Sequence, residues 1–348
     1  MAVGGSERDQ WLLGTALASF GWSVTMAVRN GMELGERRSI RGVEYVGIGH
    51  GQILSAWYRF LAAERPQWLY WECATHLWGL AVEIAKSVGV RTIFAIGFDR
   101  EVEVRHALIE RAQWWPLYAW GLSRTDRIFA QHQGQLSKLP PQWRSKASVL
   151  PKVCILPGVV GDAVTVKSHS ERDKYVAWVA MLRQHKRPDV LVEIARRMPQ
   201  VRFVVCGGHS TLPPDSTERI IEQLRALPNV KYWGQVPSEK AQQVIASAAV
   251  LLSTSDEEGF PNTFVQAWSA GTPVVTIKVD PDHIIERVGL GLVSRTVERA
   301  ITDIDRLIVS PRRRDEIAAH ARAFIVENYG ARAVVKSFED ALGYHSQA

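Results

Sequence analysis

Two stretches of this chain repeat one grammar: a short apolar run of strand length, a glycine-containing turn, then an amphipathic stretch of helical period. Repetition of that unit is how doubly wound α/β domains read, because each parallel strand reaches the next only through a crossover long enough to hold a helix. In the first half the candidate strands are 24–28, 43–47, 69–71, 92–96 and 127–130, with helical patterns at 7–20 and 77–88. In the second half, strands at 175–179, 201–206, 230–233, 250–253 and 273–276 alternate with helices at 188–198, 217–227, 238–246 and 263–270. Residues 151–174, rich in proline, glycine and charge and poor in period, lie between the halves. A chain of 348 residues is long for one core and comfortable for two. The expected class is therefore α/β, with two Rossmann-like doubly wound domains facing a cleft. Ligands are expected at the carboxyl ends of the strands, where loops meet helix N-termini.

Such a domain normally opens on a buried strand that leads into its first glycine-rich turn. Here the turn, Gly4-Gly5, arrives at once. Either the first sheet lacks a strand or the start codon lies upstream, and the second reading is favoured. An in-frame upstream segment with a short apolar run supports it, whereas a stop codon directly upstream rejects it.

Composition narrows the class by exclusion. Three cysteines, Cys73, Cys154 and Cys206, lie far apart and form no CxxC pair, which argues against a disulfide framework and a zinc site and fits a reducing cytoplasm. No basic-then-apolar leader and no long uncharged apolar run predicts secretion or a membrane span. A formal charge of +6 favours anionic partners without separating nucleic acid, acidic lipid and nucleotide diphosphates. The basic residues are dispersed, and the densest cluster, Arg312 to Arg314 after Pro311, reads as a solvated helix start.

The most specific stretch is LLSTSDEEGFPNTFVQAWSAGTPVVT, residues 251–276. It reads as strand, loop, helix, turn and strand, with Asn262 as N-cap and Gly271 ending the helix. A helix that starts after Pro261 aims backbone N–H groups and the positive end of its dipole at a ligand, which suits a diphosphate, and Gly259 allows close backbone approach.

This stretch resembles the E-x7-E region of retaining GT-B glycosyltransferases, where an acidic loop residue, Gly-Phe-Pro, a helix and Gly-Thr-Pro occur in that order. The resemblance gives Glu258 the place beside the donor sugar and position 266 the nucleotide ribose. Position 266 is Gln266, which still accepts a ribose hydroxyl but without charge assistance. The alternative is a plain surface loop and helix, although a Phe260-Pro261 pair exposed between carboxylates and a helix then lacks a reason. Residues 178–189, WVAMLRQHKRPD, are similar to the family's strand and basic loop that clamp the donor pyrophosphate. Lys186 fits the lysine, while Ala180 and Met181 stand where the family has Gly-Arg, leaving Arg183 or Arg187 to supply the second positive charge. A solvated lysine at a helix start is the other reading of Lys186.

Weaker likenesses place Gly207 and Gly208 near the donor, put Gln235 and Val236 in the loop that reads the base, and give Gly4 and Gly5 a phosphate-facing role. Phe260, Pro261, Asn262 and Thr263 complete the implied donor site. Many relatives carry a histidine in the loop after the fourth strand; here Gly97 occupies that place, and Asp99 either takes a polar catalytic role or caps a helix from Arg100 onward. His50 and His76 are read as structural. The resemblance implies an acceptor-side domain at 1–160, a nucleotide-sugar domain at 161–328, and a C-terminal helix at 329–348 that crosses back to the first domain.

The implied activity is metal-independent transfer of a sugar, with retention, from a nucleotide-diphosphate sugar to a saccharide or lipid-linked acceptor in glycan biosynthesis. No His or Cys ligand cluster is visible, so neither a metal nor a cofactor is expected, and no nucleic-acid partner is expected. The rival reading is a sugar-nucleotide-binding protein impaired in catalysis, motivated by Met181, Gln266 and the missing histidine. A nicotinamide-dependent oxidoreductase is disfavoured because no GxGxxG follows a strand. Residues 105–124, RHALIERAQWWPLYAWGLSR, read as aromatic core packing or as a peripheral contact with the inner face of the membrane, with Pro116 interrupting any helix there.

Overall fold

A computed structural model describes residues 5–108, 111–154, 168–208 and 214–344. The chain divides into two compact units, one formed by Met1–Val153 with Ala331–Ala348 and the other by Cys154–Gly330.

The first unit contains β1 (Val24–Val28), β2 (Arg37–Ile40), β3 (Val43–Gly47), β4 (Trp68–Glu72), β5 (Arg91–Ala95), β6 (Arg127–Ala130) and β7 (Ala147–Val149). Among the described residues they form two sheets. One has the order β1-β3-β2, with β2 antiparallel, and the other is the all-parallel β4-β5-β6-β7. The opening helix, Gly5–Ser19, packs on β1 and β3, where Gly14 leaves no room for a side chain beside Val24 and Met26. The last helix, Ala331–Leu342, belongs to this unit: Trp22 Nε1 donates to Glu339 Oε1 at 3.1 Å and Arg127 Nε to the Ala341 carbonyl at 3.1 Å. The C-terminal helix expected at 329–348 starts at Ala331, because the chain is extended at Gly330 and separates Pro311–Tyr329 from Ala331–Leu342.

The second unit holds β8 (Tyr175–Val179), β9 (Arg202–Cys206), β10 (Val230–Gly234), β11 (Val250–Ser253), β12 (Val274–Thr276) and β13 (Gly291–Val293). They form one parallel sheet in the order β10-β9-β8-β11-β12-β13. Strands covered on both faces read as continuous apolar runs, and successive side chains go to opposite sides. Val176 and Trp178 of β8 enter one core with Leu191 and Ile194, while Tyr175 and Ala177 enter the other with Phe264 and Trp268. Strand order reverses between β8 and β11, so the crevice at their carboxyl ends is where a doubly wound sheet takes its ligand.

Two sequence expectations fail here for packing reasons. Arg312 and Arg313 are exposed, but Arg314 is only 1% exposed, and its guanidinium donates to the carbonyls of Leu307, Ile308 (3.0 Å) and His169 (2.9 Å), closing the end of the helix Val297–Val309. Pro116 does not break a helix; it sits in the first turn of Trp115–Arg124, where no intrahelical N–H is needed. Within that segment Tyr118 is wholly buried, whereas Trp114 and Trp120 are exposed. No helix among the described residues is long and apolar enough to cross a membrane.

Candidate functional site

The loops after β8 and β11, neighbours in the sheet, carry the charged residues singled out in the sequence. Lys186 ends the short 3₁₀ turn Gln184–Lys186, and its ammonium donates to Glu258 Oε1. The Ser255 hydroxyl donates to the same oxygen at 2.8 Å. The Lys186 and Glu258 side chains are only 19% and 9% exposed, so the pair sits in a recess rather than on a solvated face. Backbone ties fix the two loops together. Thr254 Oγ1 donates to the Lys186 carbonyl at 2.6 Å and receives Trp178 Nε1 at 3.0 Å, and the Asp256 amide donates to the His185 carbonyl at 2.8 Å.

Arg187 is committed to structure. Its guanidinium takes Asp189 through Nε and Nη2, with Nη2 to Oδ2 at 2.7 Å, and reaches Asp256 Oδ2 from Nη1 at 3.2 Å. Hydrogen bonds donated to Asp189 above all hold its charge well beyond ordinary titration. Of the two arginines considered for a second positive charge, Arg183 remains: it is exposed and has no ion pair among the described residues.

The helix Asn262–Ser269 begins next to Glu258. Its N-cap is Pro261, not Asn262, and no side chain caps it. Phe264, Val265, Ala267, Trp268 and Ser269 are buried, which leaves Asn262, Thr263 and Gln266 as its half-exposed positions. At i, i+3 and i+4 spacing these three share one face. Phe260 departs from expectation: it is 4% exposed, with its ring 5.3 Å from Tyr329 and 6.2 Å from Trp268. The side chain anchors the loop in the core, leaving the backbone of Gly259 and Phe260 as the part able to meet a ligand. Gly271 ends the helix with φ of +68°.

Gly207 and Gly208 follow β9. A side chain on Gly207 would lie 2.2 Å from the Ala180 carbonyl oxygen, so close backbone approach at the end of β8 demands glycine there. Gly208 faces the Gln235 side chain, at 2.9 Å from the position a Cβ would take. Gln235 is exposed after β10, and Val236 packs on the core.

In the first unit Gly5 starts the opening helix, and Gly4 lies outside the described residues. Asp99 does not cap a helix from Arg100; it is the first residue of the 3₁₀ turn Asp99–Val102, whose N-cap is Phe98 without a side-chain cap bond. Its Oδ1 accepts from His132 Nε2 and Gln135 Nε2, both at 3.0 Å. Neither partner was singled out in the sequence. A histidine two residues after the strand β6 was the available signal for His132. A separate recess of about 30 Å³, lined by Asp9, Tyr70, Glu72, Gln131 and Lys152, has room for a water or two rather than a sugar. Burial pushes the Glu72 carboxyl up to about 8, the Asp9 charge adds to this, and Lys152, paired with Asp9 at 2.6 Å, opposes it.

One histidine-containing trio was also missed. Asp280, His283 and Glu286 bring ligand atoms within 4.8 Å of one another, but Asp280 accepts the Ile285 amide at 2.8 Å and Glu286 pairs with Arg295 at 2.8 Å. Both carboxylates already have structural partners.

Residues 163–324, which contain Lys186, Glu258 and the helix Asn262–Ser269, match the family model of glycosyl transferases group 1. The second unit carries a glycosyl transferases group 1 domain. The chain is 29% identical over 186 residues to the D-inositol 3-phosphate glycosyltransferase of Mycobacterium tuberculosis (strain ATCC 25618 / H37Rv), a match spanning 50% of this chain and 38% of that protein. The matched region thus spans less than half the length of that curated relative. Among solved structures, sucrose-phosphate synthase from Thermosynechococcus elongatus superposes with a TM-score of 0.74 at 16% identity, covering 98% of this chain and 93% of its own. WaaG, a glycosyltransferase of lipopolysaccharide biosynthesis, gives 0.64 at 15% identity, covering 99% and 97%. A pneumococcal O-GlcNAc transferase, GtfA, solved with UDP and GlcNAc, gives 0.61 at 15% identity, covering 90% and 63%. At these identities the likeness is one of fold, and the fold is of the GT-B class.

Proposed function

We propose that the protein is a retaining glycosyltransferase that moves a sugar from a nucleotide-diphosphate donor to a saccharide or lipid-linked acceptor without a bound metal. The observation that carries the reading is the meeting of Lys186 and Glu258 beside the helix that starts after Pro261. Departure of a nucleoside diphosphate concentrates negative charge on its terminal phosphate. Lys186, Arg183 and the amide-rich helix start form a preorganised positive environment for that charge, and each such donor is worth ~2.7 to 4 kcal/mol in a transition state. Glu258 then lies where positive charge builds on the sugar ring. Glu258 neutralises Lys186, and a diphosphate competes for that ammonium.

The half-exposed face of Asn262, Thr263 and Gln266 suits the donor's ribose and phosphate oxygens. Gly208, Gln235 and the backbone near Val236 suit the base, on the side of β9 and β10. The GtfA complex with UDP, a protein of the same fold, supports a nucleoside diphosphate as the ligand class. Turnover of UDP- and GDP-sugars, followed as release of the nucleoside diphosphate with and without saccharide acceptors, tests the reading. Release that depends on Lys186 and Glu258 supports it. Binding of a sugar nucleotide with no turnover favours the impaired binding protein instead.

A further inference from the structure

We propose that Thr254 is a positioning residue for the donor diphosphate, its hydroxyl fixing the main chain of Lys186 so that the ammonium is held where the phosphate arrives. This rests on the glycosyl-transfer reading above. Thr254 directly follows β11 and Trp178 lies in β8, its neighbour in the sheet, so the two side chains meet near the carboxyl ends of these strands.

Both side chains are buried, and Trp178 is packed in the core with Leu191 and Ile194. Trp178 Nε1 donates to Thr254 Oγ1 at 3.0 Å, and Thr254 Oγ1 donates to the Lys186 carbonyl at 2.6 Å. An indole N–H only donates and a carbonyl only accepts, so the direction of both bonds is fixed and the one hydroxyl proton is committed to Lys186. Satisfying a buried indole needs no more than an acceptor. A hydroxyl does more, because it passes the bond on from a rigid ring in the core to the main chain of a charged loop residue. A lysine charge sits on a long flexible stem, so it is preorganised only as far as its Cα is fixed. Two further bonds hold the same turn: the Lys186 amide donates to the Arg183 carbonyl at 3.0 Å, and the Asp256 amide donates to the His185 carbonyl at 2.8 Å. The adjacent hydroxyl, Ser255, donates to Glu258 Oε1 at 2.8 Å. Consecutive residues after β11 thus hold the two partners of the charge pair, Thr254 through the backbone of one and Ser255 through the side chain of the other. Exchange of Glu258 for a diphosphate then requires only the lysine side chain to turn, while its main chain stays in place.

The test is calorimetric titration of UDP and GDP into the full chain and its variants, with thermal midpoints measured on the same samples. Thr254→Val keeps the shape and loses the hydroxyl, and the lost hydrogen bond predicts that affinity for the nucleotide bound by the wild type falls about 3- to 10-fold. Thr254→Ser, which keeps the hydroxyl, is expected to recover most of it. In a Lys186→Ala chain the same Thr254→Val change is expected to weaken binding by less than about 2-fold, because no ammonium is left to position. A threonine that only stabilises the fold lowers the thermal midpoint and affects binding equally in both backgrounds. Should Thr254→Val fail to fold, the pair Thr254→Ser and Thr254→Ala, which differ by the hydroxyl alone, makes the same comparison. Unchanged affinity without the hydroxyl, no recovery in Thr254→Ser, or an equal loss with and without Lys186 would overturn the proposal. A wild-type chain that binds neither nucleotide rejects the donor reading itself, and that failure is visible before any variant is made.

Discussion

The Lys186 ammonium and the Ser255 hydroxyl, the latter at 2.8 Å, donate to the same Glu258 oxygen, so segments 72 residues apart in sequence share one charge centre. Removing either charge leaves the other in a recess with fewer partners. Lys186→Ala and Glu258→Ala are each expected to lower kcat/KM at least ~100-fold while circular dichroism reports a folded chain. The double variant Lys186→Met, Glu258→Gln, which leaves no unpaired charge behind, is expected to be more stable than either single alanine variant without recovering turnover. Full activity in both alanine variants contradicts the assignment.

Gly207 is required by its neighbour. A methyl group there meets the Ala180 carbonyl oxygen at 2.2 Å, and a backbone atom cannot step aside as a flexible side chain can. Gly207→Ala is expected to destabilise the protein by about 1 to 3 kcal/mol in urea titrations and to weaken nucleotide binding, because the ends of β8 and β9 must separate. Unchanged stability and affinity would show that this approach is looser than described.

Much of the second unit is legible in sequence because its strands are buried on both faces. The runs YVAWV of β8 and VLLS of β11 announce themselves without an alternating pattern. By contrast β2, with sequence RRSI, is exposed throughout and held only at an antiparallel edge, so nothing apolar marks it. The Lys186 and Glu258 loops could be found from local motifs, since each follows a strong strand. Pairings across distance were not legible: Asp99 and His132 lie 33 positions apart, and only the parallel register of β5 and β6 brings them together. The burial of Phe260 was missed for a related reason, because Tyr329, which covers its ring, comes from a helix far along the chain.

Arg314 illustrates a charge that stabilises by burial. It donates to three backbone carbonyls, two at the end of Val297–Val309 and one at His169. Arg314→Met keeps the bulk and loses the donors, with an expected cost of about 3 kcal/mol in denaturant unfolding. The neighbouring exposed Arg312→Met is expected to cost less than about 0.5 kcal/mol. Equal effects at the two positions would contradict the account.

Glu72 predicts a pH dependence in the first unit. Its folded carboxyl titrates near 8 against an ordinary value of 4.5, chiefly because it is buried. The folded state therefore holds this proton more tightly than the unfolded state, so the stabilisation is complete below pH 4.5 and is lost as pH rises through about 8. Thermal midpoints measured across that window are expected to fall with rising pH in the wild type and to fall less steeply in Glu72→Gln. Identical slopes in the two proteins would refute this role for the burial of Glu72.

The central claim is that Lys186 and the helix start at Asn262 hold the diphosphate of a nucleotide donor. Calorimetric titration of UDP and GDP into the wild type and Lys186→Ala tests it most directly. The account predicts saturable binding of one of the two nucleotides by the wild type, with affinity about 10- to 100-fold lower in the variant, as expected for the loss of one charge-assisted contact. Equal affinity in both proteins, or no binding of either nucleotide by the wild type, would contradict it.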